Sequence, residues 1–347
     1  MPSRVFADSS GIKVRQQDGT TIALDPSRPS DCDFTFVSHA HVDHLHRKGK
    51  KSKSRLIASK ATSLLACARG YDIEGDENYD GFDLVDTGHI LGSRGLLIGD
   101  DVYYTGDIST RERAFLKPAK LPHAKTLIIE STFGRPEYSL PALSDITHRT
   151  NKIISEMYDM GIPVILMGYA LGKAQVLTKL FGHWDPVFVH DSVAKMNSVH
   201  SALGIDLKNA TTFSEAEEKG LLSKHRPWIM IAPLMSSRSA FLKRVKEQYG
   251  AVAVGFSGWA ADPRYRYTMG VDYAMPFSDH CDYAELVEAV KQCSPDKVYT
   301  FHGFAAEFAD SLKKMGFDAQ PIEKTKKSRD AGLFFVTTSF AGRGSRG

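Results

Sequence analysis

Two hydrophobic patterns divide the chain. In the first third, short apolar runs alternate with turns, and the runs 11–15 and 21–24 flank Asp18-Gly19, which predicts a β-hairpin. From about Glu137 onward, apolar runs alternate with amphipathic stretches of helical period. This alternation predicts a parallel sheet covered by helices. The strands predicted there are residues 163–167, 186–189, 228–232 and 251–256, and the helices include residues 147–158 and 170–181.

The pattern of the first third returns from Phe277 onward, and this return indicates an insertion. A length of 347 residues corresponds to roughly two domains at about 150 residues each. We therefore expect a mixed α/β protein in which both chain ends build one domain and the middle forms a second. The expected boundaries are residues 1–138 and 269–340 for the first domain, 139–268 for the insertion, and 341–347 for a flexible tail.

Composition sets only broad limits. Hydrophobic residues make up 42% and charged residues 24%, which is typical of a globular chain and not of a disordered one. The formal net charge of +3 excludes a polycation but leaves local basic patches open. The four cysteines have no CxxC spacing, and we find no apolar leader and no run of about 18 apolar residues. We therefore expect a cytoplasmic protein with reduced thiols and no membrane span.

The most specific motif follows the apolar run 34–37. It carries His39, His41, Asp43 and His44 within six residues. In an extended segment His39 and His41 point to the same side, and the chain then turns. Three imidazoles and a carboxylate at this spacing are enough to serve two metals, for which Zn²⁺ is the best match and Mn²⁺ or Fe are alternatives.

Three further ligand candidates stand in similar contexts. His89 lies in a glycine-flanked turn, Asp107 ends the apolar run 102–104, and His302 follows the run 297–300. Each of them comes where a predicted strand or turn ends. Because the loops of a sheet converge at one edge, we expect these side chains to gather with the histidine motif.

The order of these motifs resembles that of the metallo-β-lactamase-fold hydrolases, whose fold is an αββα sandwich. Leu24-Asp25-Pro-Ser resembles the first motif of that family and the HxHxDH run resembles its second. The resemblance implies a structural role for Asp25, which would orient the histidine loop. It further implies one metal held by His39, His41 and His89, another held by Asp43, His44 and His302, and a bridge through Asp107.

Three more stretches resemble motifs A, B and C of the β-CASP nucleases within that superfamily. They are Ile129–Gly134, Phe277–Tyr283 and Thr300–Gly303. In these enzymes a cap domain is inserted between motifs A and B, which is where residues 139–268 stand. The runs 130–136, 169–175 and 278–280 are most similar to the ligase-associated DNA exonucleases. The pairing of Glu130 with His302 at motifs A and C is, however, typical of the RNA-processing branch.

The resemblance implies metal-dependent phosphodiester hydrolysis, in which an acidified water attacks phosphorus in line. We expect His280 to protonate or stabilise the leaving oxygen, and Glu130 to orient and charge its imidazole. The roles in catalysis implied by the resemblance fall on Asp43, Asp107, Glu130 and His280.

Basic and hydroxyl groups are candidates for binding a phosphate backbone. The run 47–55 carries six cations and no acid, which is either a phosphate-binding loop or a solvated surface. Lys173 and the run 236–238 stand near predicted helix starts, where phosphates bind readily. The candidate nucleic-acid contacts are Lys48, Lys50, Lys51, Lys53, Lys173, Ser236, Ser237 and Arg238.

We expect an exonuclease that acts on DNA in repair or end processing. The alternatives are an RNA-processing endonuclease or 5′ exonuclease with the same site, and a metallo-hydrolase of small molecules. The expected cofactors are two divalent metals, Zn²⁺ or Mn²⁺. The expected partners are nucleic acid, with DNA favoured over RNA, and by family resemblance a DNA ligase or helicase.

Overall fold

The computed structural model describes residues 3–46, 54–223 and 226–322. Its strands are β1 (Arg4–Asp8), β2 (Gly11–Arg15), β3 (Thr21–Leu24), β4 (Phe34–Phe36), β5 (Arg55–Ile57), β6 (Phe82–Asp86), β7 (Arg94–Ile98), β8 (Val102–Tyr104), β9 (Thr126–Glu130), β10 (Val164–Gly168), β11 (Val187–Val189), β12 (Thr211–Thr212), β13 (Ile229–Pro233), β14 (Val252–Phe256), β15 (Tyr273–Met275), β16 (Lys297–Phe301) and β17 (Ala319–Pro321). Its α-helices are α1 (Lys60–Ala68), α2 (Leu143–Asp159), α3 (Lys173–Phe181), α4 (Asp191–Ala202), α5 (Phe213–Glu218), α6 (Ala240–Tyr249), α7 (Arg264–Met269), α8 (Tyr283–Cys293) and α9 (Ala305–Lys314), and short 3-10 turns span Val42–His44 and Gly258–Ala261.

Two mixed sheets pack face to face. The first has the order β1-β2-β3-β4-β5 and the second the order β17-β16-β9-β8-β7-β6. Their shared core contains Ile22 and Phe36 from the first sheet and Leu96, Ile128 and Phe301 from the second, all of them buried. Helices α8 and α9 cover the other face of the second sheet, where they pack on the apolar side chains of β9 and β16. The result is a layered structure whose strand ends meet along one edge.

The third sheet is built from the middle of the chain. Its order is β12-β11-β13-β10-β14-β15, and every neighbouring pair runs parallel. The nearly continuous apolar run Val164–Met167 is buried on both faces, as expected for a parallel strand between two helix layers. The chain enters this sheet after β9 and returns through β16, which pairs directly with β9. The second sheet is therefore built from residues that precede the third sheet in the chain and from residues that follow it.

Most of the predicted elements are confirmed. The hairpin closes with Arg15 opposite Thr21, and the alternating strands and helices of the middle segment form the expected parallel sheet. One difference is that the third sheet continues to Met275, beyond the expected boundary at residue 268. The expected tail, residues 341–347, lies outside the described residues. Within the described ranges, no helix combines the length and the apolarity needed to cross a bilayer.

Candidate metal centre

Asp25 fixes the loop that carries the histidine motif. Its Oδ1 accepts a hydrogen bond from the Ser38 backbone N–H at 2.7 Å, and its Oδ2 accepts from the Ser38 hydroxyl at 2.5 Å. The same Oδ2 accepts from His44 Nδ1 at 2.8 Å and from the Tyr104 hydroxyl at 2.9 Å. Since His44 donates through Nδ1, its Nε2 faces away from Asp25 and toward Asp107, 3.5 Å from Oδ2.

Three imidazoles converge next to Asp107. His41 Nδ1 lies 3.1 Å from both His39 Nε2 and His89 Nε2, while Asp107 Oδ2 lies 3.4 Å from His39 Nε2 and 3.5 Å from His89 Nε2. These four groups can each offer one ligand atom within 4.8 Å of the others. His39, His89 and Asp107 are buried, and His41 is half-buried. We call this group the closed corner.

The other ring nitrogen of each imidazole in the closed corner has a partner of its own. His39 Nδ1 lies 2.9 Å from the Ser38 hydroxyl, and His41 Nε2 donates to the Leu171 carbonyl at 3.2 Å. His89 Nδ1 donates to the Asp279 carbonyl at 2.9 Å. These contacts orient the rings so that the remaining nitrogens face one another. Burial, together with the nearby imidazoles, holds the pKa values of His39 and His89 well below the usual range, which keeps their lone pairs free.

A second group shares Asp107. His44, Asp107 and His302 can place ligand atoms within 4.8 Å of one another, and His302 Nδ1 lies 3.9 Å from Asp107 Oδ1. Asp43 lies at its edge, with Oδ2 3.7 Å from His44 Nε2, but it is not among those three groups. The side chains of His302 and Asp43 are 47% and 72% exposed. We call this group the open corner.

Two buried atoms at the junction of the corners have no hydrogen-bond partner among the described residues. They are His44 Nε2 and Asp107 Oδ1. An unsatisfied buried acceptor is costly, so such an atom needs an explanation. Although burial opposes the charge, Asp107 and Asp25 raise the pKa of His44 well above its usual value. A cation between Asp107 and the imidazoles would satisfy both orphan atoms, and the residue types suit divalent metals such as Zn²⁺.

Glu130 and His280 form a pair beside the two corners. His280 Nδ1 lies 2.8 Å from Glu130 Oε1, which also accepts from the Ile108 N–H at 2.9 Å. The other oxygen of Glu130 accepts from the backbone N–H and the hydroxyl of Thr132. Glu130 is fully buried and cannot swing away. Although burial opposes protonation, Glu130 and then Asp107 raise the pKa of His280 to about 9.

Sequence reasoning missed a buried ion network next to His89. Asp279 Oδ1 accepts from Arg113 Nη1 at 2.9 Å, and Asp279 Oδ2 lies 3.1 Å from Lys173 Nζ. Arg113 also donates to the carbonyls of Gly88 and His89. Although burial opposes ionisation, Lys173 and Arg113 lower the pKa of Asp279 to about 2. The position of Asp279 directly before His280 was the available signal, but its partners are distant in sequence.

The predicted nucleic-acid contacts have different placements. Lys48, Lys50, Lys51 and Lys53 lie outside the described residues. Lys173 is buried and paired with Asp279, so its ammonium is not at the surface where a phosphate-binding role was expected. Ser236, Ser237 and Arg238 follow β13, and the Ser237 N–H donates to the carbonyl of Met269 at the end of α7.

Helix α3 begins directly against the closed corner. Gly172 adopts a φ of 91°, which favours glycine, and a Cβ at this position would collide with the Ile90 side chain. The close approach lets the Leu171 carbonyl reach His41. The third sheet is thereby connected to the metal centre by main-chain as well as side-chain contacts.

Comparison with known proteins identifies relatives of this chain. No family model matches the chain. It is 35% identical over 306 residues to a probable DNA ligase of Opitutus terrae, which covers 83% of this chain and 28% of that protein. It is 25% identical over 342 residues to an RNase J-like protein of Methanocaldococcus jannaschii, which covers 78% of this chain and 81% of that protein. The chain thus spans little more than a quarter of the length of the ligase-named relative.

A solved structure supports the fold independently of sequence. A protein of unknown function from Enterococcus faecalis V583 superposes with a TM-score of 0.60 over 89% of this chain and 96% of its own, at 14% identity. The chain is therefore similar to proteins named for nucleic-acid processing, and the placement of its motif residues around Asp107 agrees with the resemblance of these motifs to the metallo-β-lactamase-fold β-CASP nucleases.

Proposed function

We propose that this protein is a two-metal phosphodiester hydrolase that acts as an exonuclease on DNA in repair or end processing. The observation that carries the proposal is the convergence of both histidine corners on Asp107, directly beside the Glu130–His280 pair. DNA as the substrate is supported by the 35% identity to a protein named as a probable DNA ligase. A DNA ligase or a helicase is the partner class that we propose, from the resemblance to the ligase-associated DNA exonucleases.

The proposed ligands follow the two corners. A divalent cation in the closed corner and another in the open corner, Zn²⁺ or Mn²⁺, would supply the Lewis acidity that phosphodiester hydrolysis needs. The orphan atoms His44 Nε2 and Asp107 Oδ1 support this assignment. In the proposed assignment His39, His41 and His89 serve the closed corner, Asp43, His44 and His302 serve the open corner, and Asp107 serves both.

Proton transfer is assigned to His280. Its Nδ1 is hydrogen-bonded to the Glu130 carboxylate, so its Nε2 is the atom that can give a proton to the leaving oxygen. Glu130 is fixed by three other donors and therefore positions the ring without competing for the substrate. Asp25 acts indirectly, because its carboxylate accepts a hydrogen bond from His44 Nδ1 and fixes the orientation of this ring.

We also propose the finer fold assignment of the family. The two packed sheets, with α8 and α9 on the outer face of the second sheet, correspond to the αββα sandwich, and the parallel third sheet corresponds to the β-CASP cap. Their proposed extents are residues 1–138 and 269–340 for the sandwich and 139–268 for the cap, except that the last cap strand, β15, carries the cap on to Met275. The proposed backbone contacts are Lys48, Lys50, Lys51 and Lys53, with Ser236, Ser237 and Arg238 on the cap side.

RNA is the second candidate substrate. The 25% identity to an RNase J-like protein over 78% of the chain favours it, as does the Glu130 and His302 pairing of motifs A and C. The chemistry at phosphorus would be the same for both polymers. The difference between the two candidates lies in how the flanking nucleotides are bound.

The test is a cleavage assay with single-stranded DNA and RNA of one sequence, labelled at the 5′ or the 3′ end, with Zn²⁺ or Mn²⁺. Stepwise shortening of DNA from one end is the expected result, and His280→Ala serves as the metal-binding but slow control. Equal or faster attack on RNA would assign the protein to RNA processing. Failure to cleave either polymer with two metals bound would contradict the nuclease assignment and favour a small-molecule hydrolase.

A further inference from the structure

The carboxyl ends of the third sheet face the metal centre. Strand β10 ends at Gly168, and three residues later the Leu171 carbonyl accepts from His41. Strand β15 ends at Met275 and leads within a few residues to His280. The loops after these strands therefore form one wall beside the two corners.

This edge contains a topological switch point. Strands β10 and β14 are neighbours and run parallel. After β10 the chain moves to the β13 and β11 side of the sheet, whereas after β14 it moves to β15 on the other side. In open parallel sheets, the crevice between two such strands at their carboxyl ends is the usual place for a ligand. The first residues beyond the two strands are Tyr169 and Ser257.

Tyr169 is held in place while much of its surface stays open. It is 45% exposed although it directly follows a fully buried strand. The Lys173 ammonium lies 4.8 Å from the centre of its ring, and this lysine is itself fixed by Asp279. The backbone carbonyl of Tyr169 accepts from the Ala174 N–H at 3.0 Å, which fixes the backbone at this position. An aromatic ring that is already ordered and still exposed suits base stacking, because the ring loses little conformational entropy when a base binds to its face.

Tyr169 also lies beside the metal centre. Its ring lies next to Lys173, whose ammonium pairs with Asp279 behind His89, and the Leu171 carbonyl two residues later accepts from His41 in the closed corner. The open corner is also where His302 and Asp43 are accessible to a substrate. A strand whose phosphodiester lies at the metal centre and that continues along this wall would pass the Tyr169 ring.

We propose that Tyr169 is a stacking platform for the base of a nucleotide next to the scissile phosphate. The inference rests on the proposed nuclease function and names its substrate more closely, as a single-stranded end. A base inside a duplex is already stacked on its neighbours, whereas an unpaired base is free to stack on Tyr169. Because every base has a π face, the platform favours single strands without selecting a sequence.

The experiment compares Tyr169→Ala and Tyr169→Phe with the control Tyr267→Ala. Tyr267 is 80% exposed on α7 and is not among the residues assigned to the metal centre. Each metal-loaded variant is assayed on two sets of single-stranded oligonucleotides, one intact and one with an abasic tetrahydrofuran residue next to the cleaved bond. We expect Tyr169→Ala to raise KM about 5- to 100-fold on intact strands, the scale of one lost base–aromatic contact. Tyr169→Phe and Tyr267→Ala should keep the wild-type KM.

The abasic strands make the stacking claim specific. The wild type should lose the same factor on the abasic strand, and Tyr169→Ala should lose nothing further there. Equal KM for Tyr169→Ala and Tyr267→Ala, or full wild-type affinity for the abasic strand, would overturn the platform and leave the nuclease function intact. A second readout is binding of a 2-aminopurine strand to the His280→Ala protein, in which Tyr169→Ala should abolish quenching. Quenching that does not depend on Tyr169 would likewise overturn the platform, whereas absence of any cleavage by the wild type would overturn the nuclease function first.

Discussion

The closed corner and the open corner share Asp107 but differ in how exposed their side chains are and in how closely these side chains are grouped. In the closed corner each imidazole is buried or half-buried, and each outer ring nitrogen has its own partner. In the open corner His302 and Asp43 are exposed, and Asp43 stands apart from the tight group. The difference indicates that the closed corner is built to hold a cation firmly, while the open corner is where a phosphate can enter.

The largest expected effect is the loss of the residue that both corners share. Asp107→Ala should remove tight zinc binding at both sites and lower cleavage by more than the 10- to 100-fold typical of supporting contacts. The contrast is His302→Ala, which should lose one zinc equivalent per chain and keep the other. Metal analysis after dialysis measures both variants. If Asp107→Ala retained two zinc ions, the shared ligand would have to be another residue.

The next largest effect concerns proton transfer. His280→Ala should leave both metals bound and slow cleavage about 100-fold or more, the scale of a lost general acid. A pKa raised to about 9 means that the protonated form is present below that pH and is lost above it. Activity should therefore fall as the pH rises through about 9, and Glu130→Gln should move this fall to lower pH. A pH profile that is the same in Glu130→Gln would remove the pair from the mechanism.

A smaller effect should follow from the ion network behind the closed corner. Asp279→Asn leaves Arg113 and Lys173 without their buried counter-charge, which typically costs about 3–5 kcal/mol of stability. The backbone carbonyl that holds His89 would shift with it, so zinc affinity in the closed corner should fall about 10- to 100-fold. Thermal unfolding and zinc titration check the two effects separately. Asp282→Asn, at the cap of α8, is the matched control, and equal zinc affinity in both variants would count against a positioning role.

The smallest effect belongs to the basic run. Replacing Lys48, Lys50, Lys51 and Lys53 with glutamine should raise KM several-fold and reduce the slope of log KM against log salt, because fewer counterions are released on binding. The turnover number should stay unchanged, since these residues are predicted to bind the backbone and not to act at phosphorus. An unchanged salt slope would identify the run as a solvated surface.

Local patterns were enough to predict which side chains would gather around Asp107. His39, His41 and His44 lie in one loop, and His89 and Asp107 each follow a strand. The sheet topology is therefore enough to bring these five side chains together. The hairpin and the parallel sheet were predictable for the same reason, because periodicity is a local property.

The surroundings of the site were not predictable from local patterns. Lys173 was expected at the surface near a helix start, and the helix does start there, but its ammonium is buried against Asp279. The sequence shows that a lysine begins α3, but not that its side chain packs on Gly168 and reaches Asp279. Ion pairs that are formed by tertiary packing leave no periodic pattern in the sequence around either residue.

Zinc stoichiometry is the most direct test of the two-corner site. The metal-free protein would be dialysed against Zn²⁺ and its bound metal counted, for the wild type and for His302→Ala. We predict two zinc ions per chain in the wild type and one in His302→Ala, with the remaining ion held more tightly than the one that was lost. One ion or none in the wild type, or two in His302→Ala, would contradict the assignment of the closed and open corners as separate metal sites.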